Sequence, residues 1–510
     1  MSAELSKNNS RIAKNTLLLY FRMLLLMAVS LYTSRVVLST LGVNDYGIYN
    51  VVGGFIGMFA FLNGAMSGCT QRFITIALGK GDEQNLRKVF STCVITHGVI
   101  ALLIFILAET IGLWFVLEKL VIPAERMTSA MVVYQCSIIT TMVMIMSFPY
   151  NADIIAHERM SAFAYISIYE AFANLGIVYM LLICNIDRLV LYAILMLLIK
   201  ASVIIIYRFY CKRHFKETAF HWIFDRNLLK EMVSFTGWNL WGGMAGTLMG
   251  QGINVLLNMF FGPAVNAARG LAVQVQSAIQ LFATNFQTAL NPQMMKTYAA
   301  GDLKSMHVLL FRSAKFTFML LLCLMLPLML EIDAVLGLWL KNVPKYTNIF
   351  VCLMLCISMV DAVSNPFMTA SAATGKVKIY QSVVGGILLA IVPVAYVALR
   401  LGAEPYMVFV VHFSVAVFAF VARLTIVKRL INLSVRRYIG EVILPCSFVM
   451  IPSVLFSIGI KNILPNSLAY AFTMILLSFL LVVMFSLLLG LTRNERKFIL
   501  SKIPILQQRR

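Results

Sequence analysis

A chain of 510 residues that is 60% apolar and only 12% charged lies far from the composition of a soluble domain. Its net charge of +21 invites a nucleic-acid partner, but the placement of the charges, traced below, makes the basicity a signal of membrane topology and excludes that class.

From about residue 15 to residue 490 the sequence reads as about fourteen apolar stretches. Each is about 20 residues or more, the length that crosses a ~30 Å hydrocarbon core at 1.5 Å per residue. They fall at 15–38, 47–68, 89–116, 129–150, 161–184, 189–211, 233–260, 267–290, 308–332, 347–370, 380–400, 407–427, 441–460 and 468–490. The expected fold class is an all-α polytopic membrane protein. The first stretch is too long for the apolar region of a signal peptide and carries Arg22 and Arg35. With the amino terminus inside, cytoplasmic tails and loops hold 27 Lys/Arg, outer loops hold 6, and 9 lie within the spans. That asymmetry follows the positive-inside rule and places both termini in the cytoplasm. The nine cysteines sit in or at the ends of apolar stretches, where they act as small hydrophobes, and they predict neither disulfides nor a metal.

A shift of about 220 residues lays the first six spans over the next six. Gly42 then meets Gly262, and Gly81-Asp82 meets Gly301-Asp302. With small gaps, Gly112-Leu113-Trp114 meets Gly337-Leu338-Trp339, and Ser147-Phe148-Pro149-Tyr150 meets Ser364-Asn365-Pro366-Phe367. Six spans per repeat is even, so both halves enter the membrane from the same side and an axis along the membrane normal relates them. The expected organisation is a six-helix bundle at 1–211, a cytoplasmic linker at 212–232, a second bundle at 233–430, and two extra helices with a basic tail at 431–510. The matched residues read as turn formers, interfacial tryptophans and helix-bending prolines. Glycines recur every four residues in the seventh span, at Gly242, Gly246 and Gly250. They do so in the second span as well, at Gly53 and Gly57 and at Gly64 and Gly68. This spacing predicts close helix contact, or a flexing seventh helix. No phosphate-cradling loop is present.

A charge at mid-membrane costs about 2.5–3.5 kcal/mol on insertion scales, so each one needs a reason. Arg208, Arg312, Lys315, Arg400 and Arg423 read as snorkelling to an interface. Arg22, Arg35 and Arg269 remain as cationic candidates for binding an anion, because guanidinium forms bidentate, charge-assisted bonds to phosphate. Glu170 and Lys200 lie at similar depth on consecutive antiparallel spans and predict a buried ion pair. Asp361 is near mid-span with no evident partner, which makes it a candidate carrier of H⁺ or Na⁺ or a hydrogen-bonded structural carboxylate. His97 reads as a packed helix histidine, and Glu109 lies near an outer helix end.

The opening run from Arg11 through Ser34-Arg35-Val36-Val37-Leu38 to Leu41-Gly42-Val43-Asn44-Asp45-Tyr46-Gly47-Ile48-Tyr49-Asn50 resembles the polysaccharide-transporter family. These are flippases for O-antigen and capsule repeat units in the MATE-like multidrug/oligosaccharidyl-lipid/polysaccharide (MOP) exporter superfamily. The resemblance implies translocation of an undecaprenyl-pyrophosphate-linked oligosaccharide across the bacterial inner membrane, with lipopolysaccharide or capsule biosynthesis as its setting. It implies membrane lipids, glycosyltransferases and a glycan polymerase as partners, H⁺ or Na⁺ as coupling ions, and no cofactor. Related flippases place cationic residues of the first and eighth helices in the central cavity, which matches Arg22, Arg35 and Arg269 in kind. Two rivals remain: a drug or cation exporter of the same superfamily, and an integral-membrane polymerase or ligase. The first favours acidic cavities, and the second favours a long outer loop that this chain lacks.

Overall fold

A computed structural model describes residues 2–57, 83–157, 159–184, 186–218, 225–340, 342–463, 467–492 and 495–496, with isolated positions between 70 and 78. Side chains are described outside 1–23, 55–69, 231–243 and a few scattered positions. No strand occurs among the described residues. This follows from the solvent: in hydrocarbon every backbone N–H and C=O needs a partner, and a helix satisfies its own.

The helices in chain order are α1 (Ser2–Gly57), α2 (Glu83–Leu107), α3 (Met127–Ala156), α4 (Met160–Ile183), α5 (Arg188–His214), α6 (Arg226–Phe261) and α7 (Pro263–Ala299). They continue as α8 (Leu303–Leu330), α9 (Thr347–Ala373), α10 (Val377–Leu389), α11 (Met407–Ile431), α12 (Leu444–Ile463) and α13 (Leu468–Phe485). Helix α2 runs through a π turn at Ala108–Gly112 into Leu113–Glu118, and α10 is carried on by Ile391–Arg400. Among the described residues eleven helical stretches are long and apolar enough to cross a membrane. Helices α6 and α7, at 36 and 37 residues, are longer still but amide-rich, with Gln251, Asn254 and Asn258 on one and Gln276, Gln280 and Gln287 on the other. The expected second span begins in α1 and passes into residues outside those described.

Helix α1 is broken at Gly42, whose φ of +81° and ψ of 170° are not helical. Its repeat mate Gly262, with φ of +79°, separates α6 from α7 in the same way. Glycine alone takes such a φ without strain. The same correspondence places Pro149 inside α3 and Pro366 inside α9. Gly301 has φ of +76°, while its mate Gly81 lies outside the described residues.

The chain forms two compact units, residues 1–270 and 271–510. In the first, α3 packs along α5 and α2, and α1 packs on α3, α4 and α6. Two of its buried apolar clusters mark its two ends, with a smaller one at Ala101, Ile104 and Ile145. One gathers Phe90, Cys93, Tyr150, Ile154, Tyr207 and Phe215 at the end expected to face the cytoplasm. The other gathers Ile48, Val52, Val116, Val133, Tyr134 and Leu189 at the opposite end. In the second unit α9 packs on α8 and α11, and the last helices α12 and α13 pack on α8.

Burial is distributed as a lipid solvent demands. Ser91, Thr92, Ser313, Thr317, Ser358 and Ser364 are buried, while Leu102, Ile183, Leu198, Ile205, Phe209 and Leu455 are exposed. Exposed apolar surface on this scale suits hydrocarbon rather than water. Buried hydroxyls return their proton to the helix, as Thr96 Oγ1 does to the Thr92 carbonyl at 2.7 Å. The protein is a multi-pass membrane protein.

Candidate substrate cavity

Within the first unit, α1, α4 and α5 enclose a cavity of about 400 Å³ lined by Ser30, Thr33, Ser34, Glu170, Asn174 and Tyr192 among others. Its wall is rich in hydroxyl and amide groups. The Thr33 hydroxyl and the Asn174 carbonyl oxygen are buried without a hydrogen-bond partner. Such groups cost free energy when left unmade, so they await water or ligand. Glu170 brings a carboxylate to this wall, and Lys200 Nζ donates to its Oε1. The pair is about a quarter exposed on each side, which leaves little net charge at the cavity from these two groups.

Arg35 follows Ser34 on α1 and is half-buried. Among the described residues no hydrogen bond or ion pair engages it. Arg269 turns back to α6, where Nη2 donates to the Gly250 carbonyl at 2.6 Å, and its Nε is buried without a partner. The side chain of Arg22 lies outside the described residues. The structure therefore brings Glu170 and Lys200 together, leaves Arg35 unpaired and gives Arg269 a partial partner.

Beside Arg269 runs a chain of amides that hydropathy conceals. Asn266 Nδ2 donates to the Asn254 backbone carbonyl and to its Oδ1, both at 2.7 Å, and Asn254 Nδ2 donates to the Asn50 carbonyl at 2.9 Å. Asn258 accepts from the Val121 N–H at 2.9 Å. Gly54 lets this chain approach α1, since a Cβ there would sit 2.6 Å from Asn254 Nδ2. For Gly246 and Gly250 the close-contact reading is corrected, because a Cβ on either meets nothing within 4 Å among the described residues, while Gly242 lies outside the described side chains.

The opening motif also resolves into contacts. Asp45 receives Arg126 Nε at 2.9 Å and Nη2 at 2.5 Å, and the other edge of the same guanidinium grips Asp187 at 2.8 and 3.0 Å. Asp187 in turn accepts from Ser129 Oγ at 2.7 Å and caps α5 by accepting from Leu189 N. At the π turn the Ala108 carbonyl is taken by the Tyr134 hydroxyl at 2.6 Å.

In the second unit Lys315, Asp361 and Arg423 are paired, which corrects three readings from sequence. Asp361 has a partner: Arg423 Nη1 lies 3.7 Å from its Oδ1 and donates to Ser364 Oγ at 2.6 Å. Lys315 does not snorkel but is buried, 2.6 Å from Glu495 beyond the end of α13, with Arg312 at 3.7 Å from the same carboxylate. His97 is buried, with Nδ1 2.8 Å from the Cys93 carbonyl oxygen.

Comparisons with solved structures place this architecture. The lipid II flippase MurJ in an inward closed conformation matches with a TM-score of 0.67 at 12% identity, over 96% of this chain and 100% of that one. An inward-facing MATE-family multidrug resistance transporter of the MOP superfamily matches with a TM-score of 0.61 at 15% identity, over 81% and 96%. A MOP superfamily transporter from Pyrococcus furiosus, described as having a binding pocket of reverse polarity, matches with a TM-score of 0.57 at 16% identity, over 82% and 97%. The chain has the fold of MOP superfamily transporters. No family model and no curated protein sequence matches it.

Proposed function

We propose that the protein is a flippase that moves an undecaprenyl-pyrophosphate-linked oligosaccharide from the inner to the outer leaflet of the bacterial cytoplasmic membrane. Translocation would proceed by alternating access between the bundles at 1–211 and 233–430, with both termini cytoplasmic. The observation that supports this reading is Arg35, a half-buried guanidinium in an apolar span that has no ion pair among the described residues. Arg35 lies three residues inside the outer end of the span at 15–38, where a charge needs an interface or a partner, and an anion that visits it supplies that partner. A pyrophosphate suits its planar fork, and the unpartnered hydroxyl and amide of the neighbouring cavity suit sugar hydroxyls. The fold match to a lipid II flippase also runs over 96% of the chain, against 81% for the multidrug transporter.

The rival cation exporter would use Glu170 on the cavity wall, but Lys200 already occupies that carboxylate. Leaflet translocation of a fluorescent lipid-linked oligosaccharide in proteoliposomes separates the two. Arg35→Gln should abolish flipping and Arg35→Lys should retain part of it, since the charge survives and the bidentate fork does not. Wild-type flipping by Arg35→Gln with normal insertion overturns the reading.

A further inference from the structure

At the end of the first unit expected to face the cytoplasm, Asp153 and His157 share one face of the last turn of α3. Glu217 meets them from the 3₁₀ turn Lys216–Thr218 that follows α5. One ligand atom from each residue lies within 4.8 Å of the others. His157 Nε2 is 2.5 Å from Glu217 Oε1 and 3.8 Å from Asp153 Oδ1. We infer that these three side chains form a binding site for a divalent cation of the zinc class, which fastens the end of α3 to the start of the connection leading to α6.

Four observations carry the inference. Asp153 is fully buried, and neither of its carboxylate oxygens has a hydrogen-bond donor. A desolvated carboxylate without donors is strongly disfavoured, and with His157 Nε2 3.8 Å away the group is neutralised by a proton or by a bound cation. Glu217 is buried as well, so two carboxylates converge on one imidazole. The His157 ring is held flat against Phe215, with centroids 4.0 Å apart and planes 7° apart, and this aims Nε2 at both acids. The turn bearing Glu217 is itself fixed, with Thr218 Oγ1 donating to the Phe215 carbonyl at 2.8 Å.

The chemistry selects the ion class. Imidazole with two carboxylates suits zinc, whose N and O ligands lie at about 2.0–2.2 Å, so that donor atoms stand roughly 3–3.5 Å from one another. The present separations of 2.5 and 3.8 Å bracket that spacing, and small side-chain rotations close them on an ion. Access exists, because His157 and Glu217 also line a cavity of about 340 Å³ with Arg87, His214 and Lys216. The site stands independently of the proposed flippase activity.

The test is Zn²⁺ titration of the chelator-stripped full-length protein in detergent by equilibrium dialysis, with Co²⁺ as a spectroscopic probe. Saturable, stoichiometric binding is expected. It should weaken by at least about tenfold in Asp153→Asn and in Glu217→Gln, as metal ligation requires. His157→Cys, which keeps a zinc ligand, should retain binding and add thiolate charge-transfer absorption to the Co²⁺ spectrum. Absence of binding to wild type would mean that Asp153 holds only a proton and would overturn the inference. Unchanged affinity in Asp153→Asn would overturn it equally. If the variants fold poorly, the Co²⁺ spectra of wild type and Cys211→Ser decide: thiolate bands that survive removal of this neighbouring thiol would place the ion at other cysteines and refute the site.

Discussion

Gly47 lies in the opening motif, in the helical segment of α1 that follows the Gly42 break, and there the chain touches the first residue of α7. A Cβ built on it would fall 1.9 Å from the Pro263 carbonyl oxygen and 2.5 Å from its carbon. Opening those contacts to distances that real side chains tolerate moves the Pro263 carbonyl by about 1 Å. The obstacle is backbone at the head of a helix, not the yielding end of a side chain. Gly47→Ala gains up to about 1 kcal/mol of helix propensity but meets an overpacking penalty of about 1–3 kcal/mol or more. The penalty belongs at the upper end because backbone must move, so a net loss of about 2 kcal/mol is expected. Gly246→Ala is the matched control, since its Cβ meets nothing within 4 Å and only the propensity gain applies. Thermal unfolding in detergent, followed by fluorescence-detected size exclusion, should place Gly47→Ala below and Gly246→Ala at or above wild type. The close-approach reasoning is refuted if Gly47→Ala is as stable as Gly246→Ala.

Two further outcomes follow from the ion pairs. Burial pushes the Asp187 carboxyl up, but hydrogen bonds from Arg126, Ser129 and the Val190 N–H outweigh it and hold the group below its usual 3.8. Its contribution is therefore present above that value and lost as pH falls through the lower folded value. Ser129→Ala, which removes one of those bonds, should move the loss in an acid-unfolding titration to higher pH, and an unmoved midpoint would count against the pairing. Burial likewise pushes the Glu495 carboxyl up, while Lys315 and Thr492 bring it below the usual value. Lys315→Met removes the nearer of two cations at that acid and leaves Arg312 at 3.7 Å, so it should loosen the packing of α13 on α8, read as earlier thermal unfolding and earlier proteolysis near residue 490. Resistance equal to wild type would show that the pair does not hold the C-terminal helix.

Hydropathy made the spans legible because lipid forces each helix to be long, apolar and self-satisfied. The repeat was legible at Gly42 and Gly262 because a positive φ demands glycine wherever it recurs. Glu170 and Lys200 were legible as partners from equal depth on consecutive antiparallel spans, but partners on non-consecutive elements were not. Asp361 and Arg423 lie on α9 and α11, and only packing brings them within 3.7 Å. Lys315 was read as snorkelling because Glu495 lies beyond the last span and carries no sign of folding back. The amides of α6 and α7 were missed because an apolar-length reading counts them only as lowered hydropathy. The Asp153–His157 pair did leave a signal, an acid and an imidazole four residues apart on one helix face. Its completing Glu217 comes 60 residues later and only the tertiary structure supplies it.

The distribution of paired and unpaired charge bears on how transport would be driven. A cation-exchange mechanism requires a carboxylate within the spans that can release and rebind its ion. The two acids nearest mid-membrane already hold cations, Glu170 with Lys200 and Asp361 with Arg423, and either exchange would have to break an ion pair. Under the proposed function, Arg35, which has no ion pair among the described residues, would meet a substrate that carries negative charge. A pyrophosphate diester brings about two such charges, and an inside-negative potential favours moving each outward by about 2.3 kcal/mol per 100 mV. Roughly 4–5 kcal/mol is then available without any coupled ion. The expectation is that Asp361→Asn flips nearly as wild type while collapse of the potential stops both. Flipping by wild type at zero potential, lost in a normally inserted Asp361→Asn, would reverse the assignment. Arg423 would then be the residue that tunes ion release rather than one that neutralises a structural acid.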